Sequence, residues 1–80
     1  MSLEHEMMAL EVRAFQAIVI KNAIKIYRHT GIKANTMYTP KNMLATAARI
    51  TGKGPWKRTE LALAQKALEE YIAMVKEVIS

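Results

Sequence analysis

An 80-residue chain of 9.0 kDa, 51% apolar and 24% charged, is one globular domain over residues 1–80 and neither disordered nor low-complexity. Without cysteine it has no disulfide framework, no thiolate nucleophile and no Cys-based zinc site, and a reducing, cytoplasmic setting is expected. Glu4 and Glu6 stand where a secretory signal would be basic, and the apolar run Ala17 to Ile20 stops at Lys21, so neither a signal nor a membrane span is expected.

Three glycines and two prolines divide the chain into three helical pieces, an all-α architecture without strand alternation. The first helix is expected over residues 3–29, where Met8, Val12, Phe15, Val19 and Ile26 wind one stripe at 3,4 spacing, and Gly31 suits a left-handed C-cap. A connector follows. Thr39-Pro40 is an N-cap with proline at the first helical position, opening a short second helix over 40–51 with Met43, Leu44, Ala47, Ala48 and Ile50 on one face. After the breaker Gly52-Lys53-Gly54-Pro55, a third helix is expected over 56–79, with Thr59 as an alternative N-cap for a later start, its stripe Leu61, Ala64, Leu68, Tyr71, Val75 and Val78 backed by a polar face. The matching spacings predict that helices 1 and 3 pack side by side.

Helix 1 has more apolar surface than one partner helix covers, because Ile20, Ile24 and Tyr27 lie off the stripe of Phe15, Val19 and Ile26 and the apolar arc spans roughly 200°. Ile18 points to the otherwise polar side. A short chain without disulfides or metal commonly completes its core by association, so a homo-oligomer is expected through Phe15, Ile18, Ile20, Ile24 and Tyr27. The six methionines are expected to fill core gaps.

The formal net charge of +5 is unevenly placed. Residues 21–58 hold nine cations and no acid, while both ends are mildly acidic. Lys25, Arg28, His29 and Arg49 fall in the last turns of helices, where the dipole favours cations by about 0.3–1 kcal/mol. Lys41, Lys57 and Arg58 fall at expected helix starts, where the dipole disfavours them. Cations beside unpaired N-terminal amides suit phosphate, and Lys53 adds a charge; Trp56 suits a core anchor first and a stacking surface second. The candidate anion or nucleic-acid contacts are therefore Lys41, Lys53, Lys57, Arg58 and Trp56, with Arg28, Lys33 and Arg49 in second rank. Helix 2, turn and helix 3 resemble a helix-turn-helix, but Glu60, Leu61, Ala62, Leu63 and Ala64 give the third helix no base-reading surface.

Catalytic motifs fail on their own terms. His5-Glu6-Met7-Met8-Ala9 has Ala9 where a zinc protease helix needs its second histidine, and His29 has no neighbouring ligand. Gly52-Lys53-Gly54 lacks the flanking residues of a phosphate-binding P-loop, and adjacent Glu69 and Glu70 point about 100° apart. No catalytic residue, metal or cofactor is expected, and the chain is not expected to be an enzyme.

The stretch Thr30-Gly31-Ile32-Lys33-Ala34-Asn35, with Tyr38-Thr39-Pro40, Met43-Leu44, Ile50-Thr51-Gly52-Lys53 and Lys57-Arg58, resembles small accessory proteins encoded in bacteriophage and prophage genomes. Such proteins include DNA-binding accessories, inhibitors of host enzymes and proteins that sequester nucleotide signals, so the resemblance implies a setting and assigns no residue. The expected function is non-enzymatic binding of a phosphate-bearing partner, nucleic acid or nucleotide, by the basic segment 21–58. The alternative is a protein-interaction module, an inhibitor or assembly adaptor, acting through the wide apolar face of helix 1.

Overall fold

The computed structural model describes the backbone of residues 3–79 and the side chains of residues 11–78. Three helices follow in order, α1 (Leu3–Thr30), α2 (Pro40–Thr51) and α3 (Leu61–Ile79), with one turn of 3-10 helix at Arg58–Glu60 leading into α3. The described residues contain no strand. α1 and α3 lie side by side, and α2 packs against both. Arg28 Nη1, in the last turn of α1, donates to Gln65 Oε1 near the start of α3 at 2.8 Å, so these two helices run antiparallel.

The helix ends follow from their residues. Gly31 takes φ +72° after α1 and its amide donates to the Tyr27 carbonyl at 2.8 Å. Thr39 accepts the Asn42 amide at 3.2 Å, Pro40 fills the first position of α2, and Gly52 at φ +71° closes it by donating to the Ala48 carbonyl. α3 starts later than Pro55 suggests, close to the alternative start at Thr59. Glu60 Oε1 accepts the Lys57 amide at 2.7 Å and holds the chain in a 3-10 turn first, so Trp56 and Lys57 belong to the preceding loop.

The core joins Ala17, Ile20, Ala23 and Ile24 of α1 to Met43, Leu44, Ala47 and Ile50 of α2 and to Ala64, Leu68 and Ile72 of α3. The stripes of α2 and α3 sit where the spacing puts them, apart from exposed Val78. α1 does not. Val12, Phe15 and Ile26, taken from sequence as its core stripe, are 56%, 68% and 44% exposed. Ile20 and Ile24, expected at an oligomer interface, are 5% and 0% exposed inside a single chain, and Ile18 and Tyr27 pack half-buried against the same core. Of the five expected interface residues Ile20 and Ile24 are thus used up inside the chain, Phe15 is exposed, and Ile18 and Tyr27 keep part of their surface outside the core. The methionine expectation is corrected likewise, since Met43 is buried but Met37 and Met74 are exposed.

α1 is about 42 Å long at 1.5 Å per residue and α3 about 28 Å, so the N-terminal turns of α1 run on past the end of α3. This overhang accounts for the elongated 41 × 21 × 20 Å shape, and for a radius of gyration of 13.0 Å where a compact chain of this length has about 12 Å.

Two predictions follow from the packing. Ile24→Ala opens a cavity between three helices and should cost about 2–5 kcal/mol in urea unfolding, whereas Leu63→Ala, at an exposed position of α3, should cost under about 1 kcal/mol. The Tyr71 hydroxyl is buried without a hydrogen-bond partner among the described residues, so Tyr71→Phe should raise stability by about 1 kcal/mol; a lower melting temperature would show that the hydroxyl is bonded.

Candidate functional site

The loop after α2 is set by two glycines and an aromatic ring. Gly54 takes φ +87°, the Gly54–Pro55 bond is cis, and a Cβ at Gly54 would lie 3.0 Å from Trp56 Cε3, so the ring lies flat against the Gly54 backbone. Trp56 is half-buried and also packs against the core. It serves as an anchor and still presents part of its surface.

That surface closes one side of a groove of about 480 Å³. Thr39, Pro40, Lys41, Leu44, Ala45 and Ala48 form its α2 wall, and Pro55, Trp56 and Arg58 form the opposite one. Lys41 and Arg58, 17 positions apart in sequence, are thereby brought to one concavity. Both are exposed and neither has an ion-pair or hydrogen-bond partner among the described residues. At the start of α2 the Asn42 amide is taken by Thr39 Oγ1, the Met43 amide by the Thr39 carbonyl, and Pro40 has none, which leaves the Lys41 amide as the unpartnered first-turn donor. The groove therefore combines two cations and one free N–H with an apolar, partly aromatic lining.

The other candidates lie elsewhere. Lys53 turns to α3, where its Nζ stands 3.3 Å from Glu70 Oε2 in an exposed ion pair. Lys57 does not line the groove, and the amide expected to sit open beside it is capped by Glu60. The anion site expected at the start of helix 3 is thus filled by the chain's own carboxylate. Arg28 is bonded to Gln65, and Lys33 is exposed in the connector. Arg49 edges a second groove, of about 280 Å³, with Phe15, Val19, Ile20 and Tyr38.

The apolar side of the basic groove was not anticipated. Pro40, Leu44 and Ala48 recur every four residues, the signal of one helix face, but their spacing reads equally as core, and Leu44 does serve both. Among the described residues no group of His, Cys, Asp or Glu could hold a metal ion, and no helix is long and apolar enough to cross a membrane. His29 is exposed; the side chains of the His5–Ala9 segment lie outside the described residues. Comparison of the chain with protein-family models, curated proteins and solved structures finds no match.

Gly54→Ala tests how the loop shapes this site. A side chain at φ +87° and the contact with Trp56 should together cost roughly 1–2 kcal/mol and shift the Trp56 emission to the red as the ring is displaced. Unchanged stability and emission would mean that the ring does not rest on this glycine.

Proposed function

We propose that the chain is a non-enzymatic binding protein whose groove between α2 and the 52–58 segment takes a nucleotide unit, free or within a single strand. Lys41 and Arg58 contact phosphate, and Trp56 with the apolar wall receives the base. The observation that supports this reading is the convergence of two unpaired cations on one groove with an apolar, aromatic lining. An anion alone would need no apolar wall, and an apolar ligand would gain nothing from exposed cations beside it. Duplex reading is disfavoured because the N-terminal half of α3, Leu61 to Ala64, presents no polar, base-reading row. Sequestration of a nucleotide, one activity that the likeness to phage accessory proteins implies, would use the groove in this way.

A second reading, a protein-interaction module, is favoured by the exposed Val12, Phe15 and Ile26 on α1. Charge reversal in the groove would leave such an interaction intact.

Trp56 is the sole tryptophan, so its fluorescence reports on the groove directly. Titration with mononucleotides and with a short single-stranded oligonucleotide at low salt should quench it saturably. For the oligonucleotide, Lys41→Gln and Arg58→Gln should each weaken binding and reduce the slope of log K against log salt by about 0.7. Lys53→Gln, whose side chain pairs with Glu70, should leave that slope unchanged. Absence of quenching at low salt for every nucleotide probe would end the reading.

A further inference from the structure

α1 carries a second apolar seam that its own chain does not cover. Val12, Phe15, Val19, Asn22 and Ile26 follow one another at steps of 3, 4, 3 and 4 along the helix; Val12, Phe15, Asn22 and Ile26 are exposed and Val19 is half-buried. This is the spacing of a coiled-coil seam with β-branched residues at alternate positions, and it lies about 150° around the helix from the face that Ala17, Ile20 and Ile24 turn to the core.

The charges beside the seam select what covers it. Glu11 precedes Val12 and Lys25 precedes Ile26, so both flank the seam on the same side, two heptads apart. Both are exposed, and neither has a partner among the described residues. When two copies of α1 pack antiparallel, residues whose numbers sum to about 34 face one another across the seam, about 36 on the Glu11 flank and about 32 on the opposite flank, where Gln16 meets Gln16 of the second copy. Phe15 then meets Val19 of the second copy, beside the groove that Val19 and Tyr38 line, and Glu11 meets Lys25 twice, once on each side of the two-fold axis. Parallel in-register packing would instead set Glu11 opposite Gln16 and Lys25 opposite Thr30, with no ion pair. The axis of the antiparallel pair falls near residues 17–18, close to the midpoint of Leu3–Thr30, so the whole helix, including the overhang beyond α3, finds a neighbour.

We infer that the chain forms an isologous dimer through this seam, α1 against α1 of a second copy, antiparallel, with Phe15 at the centre and two Glu11–Lys25 ion pairs along one flank. The interface shares no residue with the basic groove, so the inference stands apart from the nucleotide reading.

The test is sedimentation equilibrium of the full chain at low salt, with circular dichroism to confirm that each variant keeps its helix content. The parent chain should be a dimer. Phe15→Gln, at a position exposed in the single chain, should raise the dissociation constant at least about tenfold. Glu11→Lys and Lys25→Glu should each raise it about threefold to tenfold, and the double exchange should restore the parent value because each pair is then reversed. The chain has no cysteine, so single-cysteine variants report geometry cleanly: Gln16→Cys, near the axis, should oxidise to a covalent dimer, and Asn22→Cys should not. A monomer at high-micromolar concentration would overturn the inference and leave the seam to a different protein. An oligomer indifferent to Phe15→Gln would overturn it too, as would a double charge exchange that fails to rescue, or cross-linking through Asn22→Cys instead of Gln16→Cys, which marks a parallel pair.

Discussion

α1 has two apolar faces, and a chain of this size has helix enough to cover one of them. The faces differ in what else they carry. The stripe from Val12 through Phe15, Val19 and Ile26 also runs through Asn22 and His29, and turning it into the three-helix core would seal an amide and an imidazole from water, each costing about 1–3 kcal/mol without a hydrogen-bond partner, a cost that a two-helix seam open to water along its flanks does not impose in full. The face actually buried holds Ala17, Ile20, Ala23 and Ile24, with Tyr27 half-buried at its edge. Its alanines meet an α2 and an α3 whose buried surfaces are also rich in alanine, at Ala47, Ala64 and Ala67, so the three helices approach closely and pack isoleucine and leucine between them. Polar avoidance and close approach favour the same rotation of α1, and everything exposed on that helix follows from it.

That rotation also fixes what the rest of the chain can do. With α1 turned this way, α2 lies over Ile20 and its start projects Lys41 away from the core, on the same wall as Leu44 and Ala48. The returning loop needs to fold back within a few residues, which the left-handed Gly52 and Gly54 permit, and the Trp56 ring laid on Gly54 fills the space a side chain would have taken. Glu60 then caps the Lys57 amide and directs the chain into α3. The groove is therefore a product of two helix ends and one aromatic anchor, each held by local chemistry.

Much of this architecture is legible in the sequence because caps and breakers act locally. Thr39-Pro40, Gly31 and Gly52 do in the structure what their side chains, or lack of them, require, and the α3 stripe from Ala64 to Val75 is buried as its period demands. The rotation of α1 was not legible from period alone, since a helix with an apolar arc of roughly 200° satisfies the 3.6-residue rule in more than one orientation. The deciding signal is polar, Asn22 and His29 occupying the gaps in the Phe15 stripe, and apolar periodicity does not contain it. The sequence leaves the start of α3 open between Pro55 and Thr59, and the Glu60 carboxylate decides it by stabilising a 3-10 turn at Arg58 ahead of the helix.

The candidate site was partly legible for the same local reasons. A cation at a helix start opposes the dipole, and that anomaly singles out Lys41, Lys57 and Arg58 in the sequence. Three dimensions then sort them by neighbours that sequence separation hides. Lys53 meets Glu70 across the loop, an exposed pair worth under about 1 kcal/mol, but enough to orient the side chain towards α3. Lys57 loses its open amide to Glu60 three residues on, so the dipole anomaly there is relieved by the chain itself. Lys41 and Arg58 have no such relief: no acid lies between residues 21 and 58, and the nearest acids along the chain, Glu60, Glu69 and Glu70, stand off the groove. Their mutual repulsion is tolerable in free solvent but falls when an anion sits between them, which is why a cluster of unpaired like charges on an apolar wall is better evidence for a ligand than net charge.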